Sequence, residues 1–134
     1  MNGIEYLLDT NVIIGLLKSD PDTLALIGDR PIDAGCCAYS AVTRMELLGF
    51  PGLTPSERSL ILGKLAQLVY VPISLAVEDE AIRLRCAHKI KLPDAIIAAS
   101  ALLLGAELLT HDRNLSRVLT LETPARTPDP RRGE

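Results

Sequence analysis

Four carboxylates stand apart from the other acids of this 134-residue chain: Asp9, Glu46, Asp94 and Asp112. Asp9 directly follows an apolar run in Leu7-Leu8-Asp9-Thr10-Asn11, and Asp112 closes Leu108-Leu109-Thr110-His111-Asp112. Asp94 sits behind Pro93 at the head of a strongly apolar stretch, and Glu46 lies between Met45 and Leu47-Leu48. The remaining acids, such as Glu57, Glu78, Asp79, Glu80 and Glu122, fall on polar helical faces or ends, where solvent suffices. Carboxylates brought together repel one another unless a cation intervenes. Oxygen donors without His or Cys at ligand spacing favour Mg²⁺ or Mn²⁺ over zinc. Such a centre suits phosphodiester hydrolysis, since it polarises a phosphoryl oxygen and makes a water more acidic. Each acid also has a plain structural use: Asp9 and Asp112 as caps, Asp94 as a first-turn acid, Glu46 as a partner for Arg44.

The elements that must position these groups alternate between short apolar strands and longer helical segments. Strands are expected over 4–8, 34–39, 68–73 and 107–109. Helices are expected over 10–18, capped by Thr10 or Asn11, then over 21–30, 41–49, 55–67 and 76–89. Leu92-Pro93-Asp94 starts a helix through 104 that is apolar on nearly every face and therefore belongs in the core. A short helix over 112–118 and a possible edge strand over 119–122 complete the domain, and the Pro- and Arg-containing tail over 123–134 is expected to fray. Alternation of this kind predicts an α/β domain with a mainly parallel central sheet covered on both faces, spanning residues 1–122. In open parallel sheets, ligands bind at the carboxyl ends of the strands, where strand order reverses. Asp9 and Asp112 fall at strand-to-helix transitions on that rim. Asp94 faces the same rim if the connections are right-handed crossovers.

Composition narrows the choices. With 14 Lys and Arg against 17 Asp and Glu, the formal net charge is -3, which excludes a basic nucleic-acid coat. Four of the acids are the special ones, so the rest of the surface is close to neutral. Three Tyr, one Phe and no Trp leave no base-stacking platform. Hydrophobic residues at 48% suffice for a core. No apolar run is long enough to span a membrane and the start has no signal-peptide pattern, so a cytoplasmic protein is expected. Cys36, Cys37 and Cys86 have no metal-ligand spacing; adjacent Cys36 and Cys37 read as buried thiols on opposite faces of a strand.

Four segments resemble the PIN-domain ribonucleases, most closely the VapC toxins of toxin–antitoxin pairs. They are Leu7-Leu8-Asp9-Thr10-Asn11-Val12, Ser40-Ala41-Val42-Thr43-Arg44-Met45-Glu46-Leu47, Lys91-Leu92-Pro93-Asp94-Ala95-Ile96-Ile97-Ala98-Ala99 and Leu109-Thr110-His111-Asp112-Arg113. The resemblance implies a three-layer α/β/α sandwich and a Mg²⁺- or Mn²⁺-dependent endoribonuclease. It implies that Asp9 and Asp94 ligate metal and that Glu46 and Asp112 complete the acidic pocket. Thr10, Asn11 and Thr110 match positions that support the carboxylates by hydrogen bonds. The resemblance further implies an RNA substrate, a homodimer and a VapB-type antitoxin whose helical or extended segment enters a groove, for which Val42–Phe50 and Leu60–Leu68 are candidates. One departure is visible: relatives often carry an aromatic shortly after the last aspartate, where Leu115 is expected to fill the core position instead.

Charged residues flanking the motifs, Arg44, Lys89, Lys91 and Arg113, are candidates to hold backbone phosphates or simply to pair with neighbouring acids. His88 is expected at the surface, and His111 at the rim beside Asp112. The competing readings are a structure-specific DNA nuclease, or another metal phosphodiesterase, using the same acids. A phosphoacceptor domain lacks support, because Asp9 has no adjacent acid, and the presence of all four acids counts against a non-catalytic binding module.

Overall fold

The computed structural model describes residues 3–123; positions 124–134, most of the tail expected to fray, lie outside the described residues. In chain order the elements are β1 (Tyr6–Leu8), α1 (Thr10–Leu17), α2 (Pro21–Ile27), β2 (Cys37–Ser40), α3 (Ala41–Leu48) and α4 (Pro55–Leu65). They continue with β3 (Val69–Val71), α5 (Leu75–Ala87), α6 (Leu92–Leu104), β4 (Glu107–Leu109) and α7 (Arg113–Glu122). The strands form one parallel sheet in the order β3-β2-β1-β4, with Leu7 opposite both Ala38 and Leu108. The chain therefore builds outward from β1 to β3 on one side and then returns to lay β4 on the other. That reversal places the switch point between β1 and β4.

Period-two alternation assigns the sheet residues to two cores. Leu7 and Ala38 pack with Ala81, Leu84, Ile97, Ala98, Leu115 and Val118 beneath α5, α6 and α7. Leu8, Cys37 and Tyr39 pack with Val12, Ile13, Leu47, Ile61 and Leu65 beneath α1, α3 and α4. The result is the expected three-layer α/β/α sandwich. Helix α6 gives its small face, Ala95, Ala98, Ala99 and Ala101, wholly to the core, whereas Leu92 and Leu103 remain exposed. Among the described residues no helix is long and apolar enough to cross a membrane.

Most helix starts carry the side chains that local chemistry demands. Asp20 caps α2 ahead of Pro21, Ser40 caps α3, and Ser74 caps α5. Thr54 and Glu57 close a reciprocal capping box at α4. The first helix is capped by Asp9 rather than by Thr10 or Asn11: the Asp9 carboxylate accepts from the Thr10 N–H, and Thr10 is already helical. Helix α6 differs, since Lys91 at its N-cap makes no side-chain hydrogen bond.

Two segments depart from expectation. Ala34–Cys36 forms a tight 3₁₀ turn and the strand starts only at Cys37. The Cys36 thiol turns back to donate to the Asp33 carbonyl at 3.2 Å, so the neighbouring thiols do not flank a strand. Cys37 is wholly buried, and burial pushes its thiol up to about 12, which keeps it protonated and inert. Cys86 is exposed. Residues 119–122 form no edge strand but the end of α7. The spacing of Leu115, Val118 and Leu119 is helical, and the last turn is held from outside. Glu122 accepts from Arg83 at 2.8 Å and lies 2.6 Å from His88 Nε2, while Arg83 also grips Glu80. His88 is therefore a tether between α5 and α7 rather than a free surface residue.

This tether carries a pH dependence. The Arg83 guanidinium and then His88 hold the Glu122 carboxyl below its usual range. A lowered folded value means stability that is present above the unfolded pKa and lost as pH falls through the folded one. Glu122→Gln should lower the urea midpoint at pH 7, and the gap from wild type should close as the pH drops below the ordinary glutamate value.

Candidate active site

The four singled-out acids lie along the carboxyl edge of the sheet around the β1–β4 switch point. Asp9 leaves β1, its N–H donating to the Leu109 carbonyl at 3.0 Å, so the two strand ends are locked side by side. Asp112 leaves β4 and caps α7 by accepting from the N–H groups of Asn114 and Leu115 at 2.9 and 3.2 Å. Helix α6 ends immediately before β4 begins, so its C-terminus lies at the amino edge of the sheet and Asp94 at the carboxyl edge. Helix α3 starts where β2 stops and carries Glu46 in its second turn.

Asp9 is the most enclosed of the four, with 6% of its surface exposed. One carboxylate oxygen accepts from the Thr10 N–H at 2.8 Å; the other accepts from Thr110 Oγ1 at 2.6 Å and Asn11 Nδ2 at 3.3 Å. Thr110 Oγ1 in turn accepts from the Asp112 N–H at 3.0 Å, so one hydroxyl joins both aspartates. Asn11 uses its amide at both ends, since its Oδ1 accepts from the His111 N–H at 3.2 Å. Glu46 Oε1 lies 2.6 Å from Thr10 Oγ1, which is 3.0 Å from the fully buried Thr43 Oγ1. A carboxylate only accepts, so the Thr10 hydroxyl donates to Glu46 and Thr43 supplies the proton to Thr10.

Thr10, Asn11 and Thr110 thus each hydrogen-bond to one of the carboxylates. Thr43 was not singled out by sequence, although it stands three residues before Glu46, a spacing that puts both on one helical face. Replacing Thr110 by Val keeps the shape and deletes the shared hydroxyl. Asp9 would keep only the longer Asn11 bond on that oxygen and the Asp112 N–H would lose its acceptor, at an expected cost of about 1–3 kcal/mol in a denaturant titration.

The Asp94 carboxylate has no hydrogen-bond partner among the described residues. The carboxyl is pushed above the usual aspartate range, first by burial and then by the negative charges of Asp112, Asp9 and Glu46, with Lys91 opposing. All three other acids act on Asp94, so the four share one electrostatic neighbourhood. Among the described residues, however, no three His, Cys, Asp or Glu side chains close into a ready ligand shell. The donor set still suits a hard divalent ion: it offers carboxylates alone, one of them uncommitted. Mg²⁺ in particular is bound through one or two carboxylates with water completing its sphere.

The flanking cations separate. Lys91, exposed at the start of α6, lies close enough to act on Asp94, and Arg113 begins α7 beside Asp112. Arg44 is two residues from Glu46, which places the two on different sides of α3, and its charge acts on Tyr39 instead. Lys89 is exposed in the turn between α5 and α6. His111 is held through Nε2, 2.7 Å from Thr23 Oγ1, and Thr23 also donates to Asp20 Oδ2 at 3.1 Å. Leu115 is buried, as expected.

The PIN domain family model matches residues 6–119. No curated protein matches the chain by sequence. Among solved structures, a toxin–antitoxin complex from Klebsiella pneumoniae contains a chain 27% identical, with a TM-score of 0.71 over 84% of this chain and 91% of that one. VapBC2 from Rickettsia felis, solved on a DNA fragment from its promoter, matches at 21% identity and TM-score 0.67, covering 86% and 93%. FitAcB from Neisseria gonorrhoeae matches at 24% and 0.66, covering 85% and 92%. The last two likenesses bear on the fold. The family model spans β1, every strand that follows and all four acids, and on that match this chain belongs to the PIN domain family.

Proposed function

We propose that the protein is a Mg²⁺- or Mn²⁺-dependent endoribonuclease and the toxin of a toxin–antitoxin pair. The observation that carries this reading is the shared neighbourhood of Asp9, Glu46, Asp94 and Asp112 at the sheet's switch point, with Asp94 left uncommitted. Membership of a nuclease family, and likeness to chains from toxin–antitoxin complexes, support the same reading. The chemistry a divalent ion supplies when bound is polarisation of a phosphoryl oxygen and acidification of a water.

The chain's own residues do the rest. Asp9, pinned through both oxygens, and Asp94, free to turn, are the metal ligands; Glu46 and Asp112 complete the pocket by ligation or by holding its water. Thr10, Asn11 and Thr110 fix the carboxylates in place before substrate arrives, which spares reorganisation during the reaction. Arg44, Lys91 and Arg113 are the proposed phosphate contacts, with Arg44 the least well situated. Exposed Met45, Phe50, Leu60 and Leu62 on α3, α4 and the turn after α3 offer apolar anchors to a VapB-type antitoxin segment, while Val42, Leu47 and Leu65 are core. The protein is further proposed to be a homodimer, a state that light scattering would report directly.

The alternative nuclease substrate is DNA, and the discriminating experiment offers both. With Mn²⁺ present, structured RNA should be cut and duplex or flap DNA left intact; preferential cutting of DNA would displace the ribonuclease reading. Expression of the wild type, but not of Asp9→Asn, should arrest growth of a bacterial host.

A further inference from the structure

A cleft of about 390 Å³ opens beside Asp112 and runs along α7. It starts at Thr110, the hydroxyl that joins Asp9 and Asp112, and its walls are His111, Asp112, Arg113, Ser116, Arg117 and Thr120. Four of these follow the spacing i, i+3, i+4, i+7 along α7, so two guanidinium groups and two hydroxyls share one helical face. The opposite face of the same helix buries Leu115 and Val118. Among the described residues neither Arg113 nor Arg117 pairs with a carboxylate, whereas Arg30 and Arg83 both do. Arg117 instead donates to Asn114 Oδ1 at 3.1 Å, and Thr120 Oγ1 donates to the Ser116 carbonyl at 3.0 Å, which orders the face without neutralising it.

The far wall is built with equal care. Thr23 is fully buried, and its single hydroxyl proton goes to Asp20, because a carboxylate only accepts. The 2.7 Å contact with His111 therefore has the imidazole Nε2–H donating to Thr23. The backbone N–H of His111 is held by Asn11. His111 is thus held from α1 through its backbone and from α2 through its ring. These contacts fix the imidazole as a rigid wall of the cleft.

Guanidinium groups beside the acids ease the approach of a backbone phosphate to them. We propose that the Arg113–Arg117 face of α7, walled by His111, is a subsite for a phosphodiester of single-stranded RNA lying next to the bond that is cut. This rests on the ribonuclease reading above and adds a direction to it: the strand leaves the acids past Asp112 and along α7. Arg113 and Arg117 are one helical turn apart, about 6 Å, which lets them grip the strand at successive points. Guanidinium groups suit this task because they meet phosphate oxygens with two parallel donors.

The test compares Arg117→Gln with Arg58→Gln, which removes the same charge from α4 in the opposite layer. Binding of a fluorescent single-stranded oligoribonucleotide is measured in EDTA over a range of NaCl, and cleavage with Mn²⁺ is measured separately. Arg117→Gln should weaken binding about five-fold at low salt and reduce the slope of log affinity against log salt by about 0.7. KM should rise with little change in kcat, and Arg58→Gln should behave as wild type. Equal effects from the two variants, or an unchanged salt slope in Arg117→Gln while wild type binds and cuts RNA, would overturn the subsite and leave the ribonuclease reading intact. Failure of the wild type itself to bind or cut RNA would overturn both.

Discussion

Asp94→Asn should make the metal-free protein more stable and the enzyme inactive. The charge of Asp94 is opposed by burial and by the fields of Asp112, Asp9 and Glu46, and no hydrogen bond offsets them. An acid whose folded pKa is raised costs stability above that value, and the cost disappears once pH falls below the unfolded value. Asparagine removes the charge at every pH and keeps the volume. In EDTA at pH 7 the melting temperature should rise by about 3–5 °C, the shift that roughly 1 kcal/mol produces in a domain of this size. The gap should close toward pH 3, where the wild-type carboxyl is neutral as well. Cleavage should fall by at least about 100-fold, as when one preorganised electrostatic group is lost from an active site. Opposite signs for stability and activity separate a functional carboxylate from a first-turn acid, whose removal would destabilise α6.

Gly15→Ala should be among the most damaging single-methyl changes in the protein. A Cβ at position 15 would stand 1.9 Å from Thr23 Oγ1 and 2.7 Å from Thr23 Cβ. Gly15 is buried on α1, and Thr23 is fully buried on α2, so neither helix can yield without moving the other. Overpacking of this kind costs about 1–3 kcal/mol and sometimes more, and a loss at the upper end is expected in a urea titration. Thr23 also supports His111, so RNA affinity should fall together with stability. Gly63→Ala provides the contrast. Gly63 is exposed on α4, with no atom within 4 Å of the added methyl, so alanine should stabilise by up to about 1 kcal/mol.

Much of the site was legible because its acids interrupt patterns that otherwise predict burial. Asp9 and Asp112 each end an apolar run that becomes a strand, and parallel pairing of those strands necessarily brings the two acids together. Capping and chemistry read in sequence as alternatives, and the structure shows the capping: both aspartates hold a helix start. Asp112 caps with Oδ1, and Asp9 divides its two oxygens between Thr10 and Thr110. The supports were harder to read. His111 and Thr23 are 88 positions apart, and Gly15 matters only because α2 folds back against α1. The end of α7, expected as an edge strand, is helix for a related reason. Leu119–Glu122 is too short for its own periodicity to decide, and Arg83 and His88 of α5 and its cap fix it as helix.

The most direct test of a metal-dependent carboxylate nuclease follows one labelled RNA through three conditions. Wild-type protein should cut it with Mn²⁺, stop in EDTA and resume when Mn²⁺ is restored in excess. Folded Asp9→Asn, its fold verified by circular dichroism, should cut in none of them. Cleavage by the wild type in EDTA, or by Asp9→Asn at the wild-type rate, would contradict the role given to these four acids.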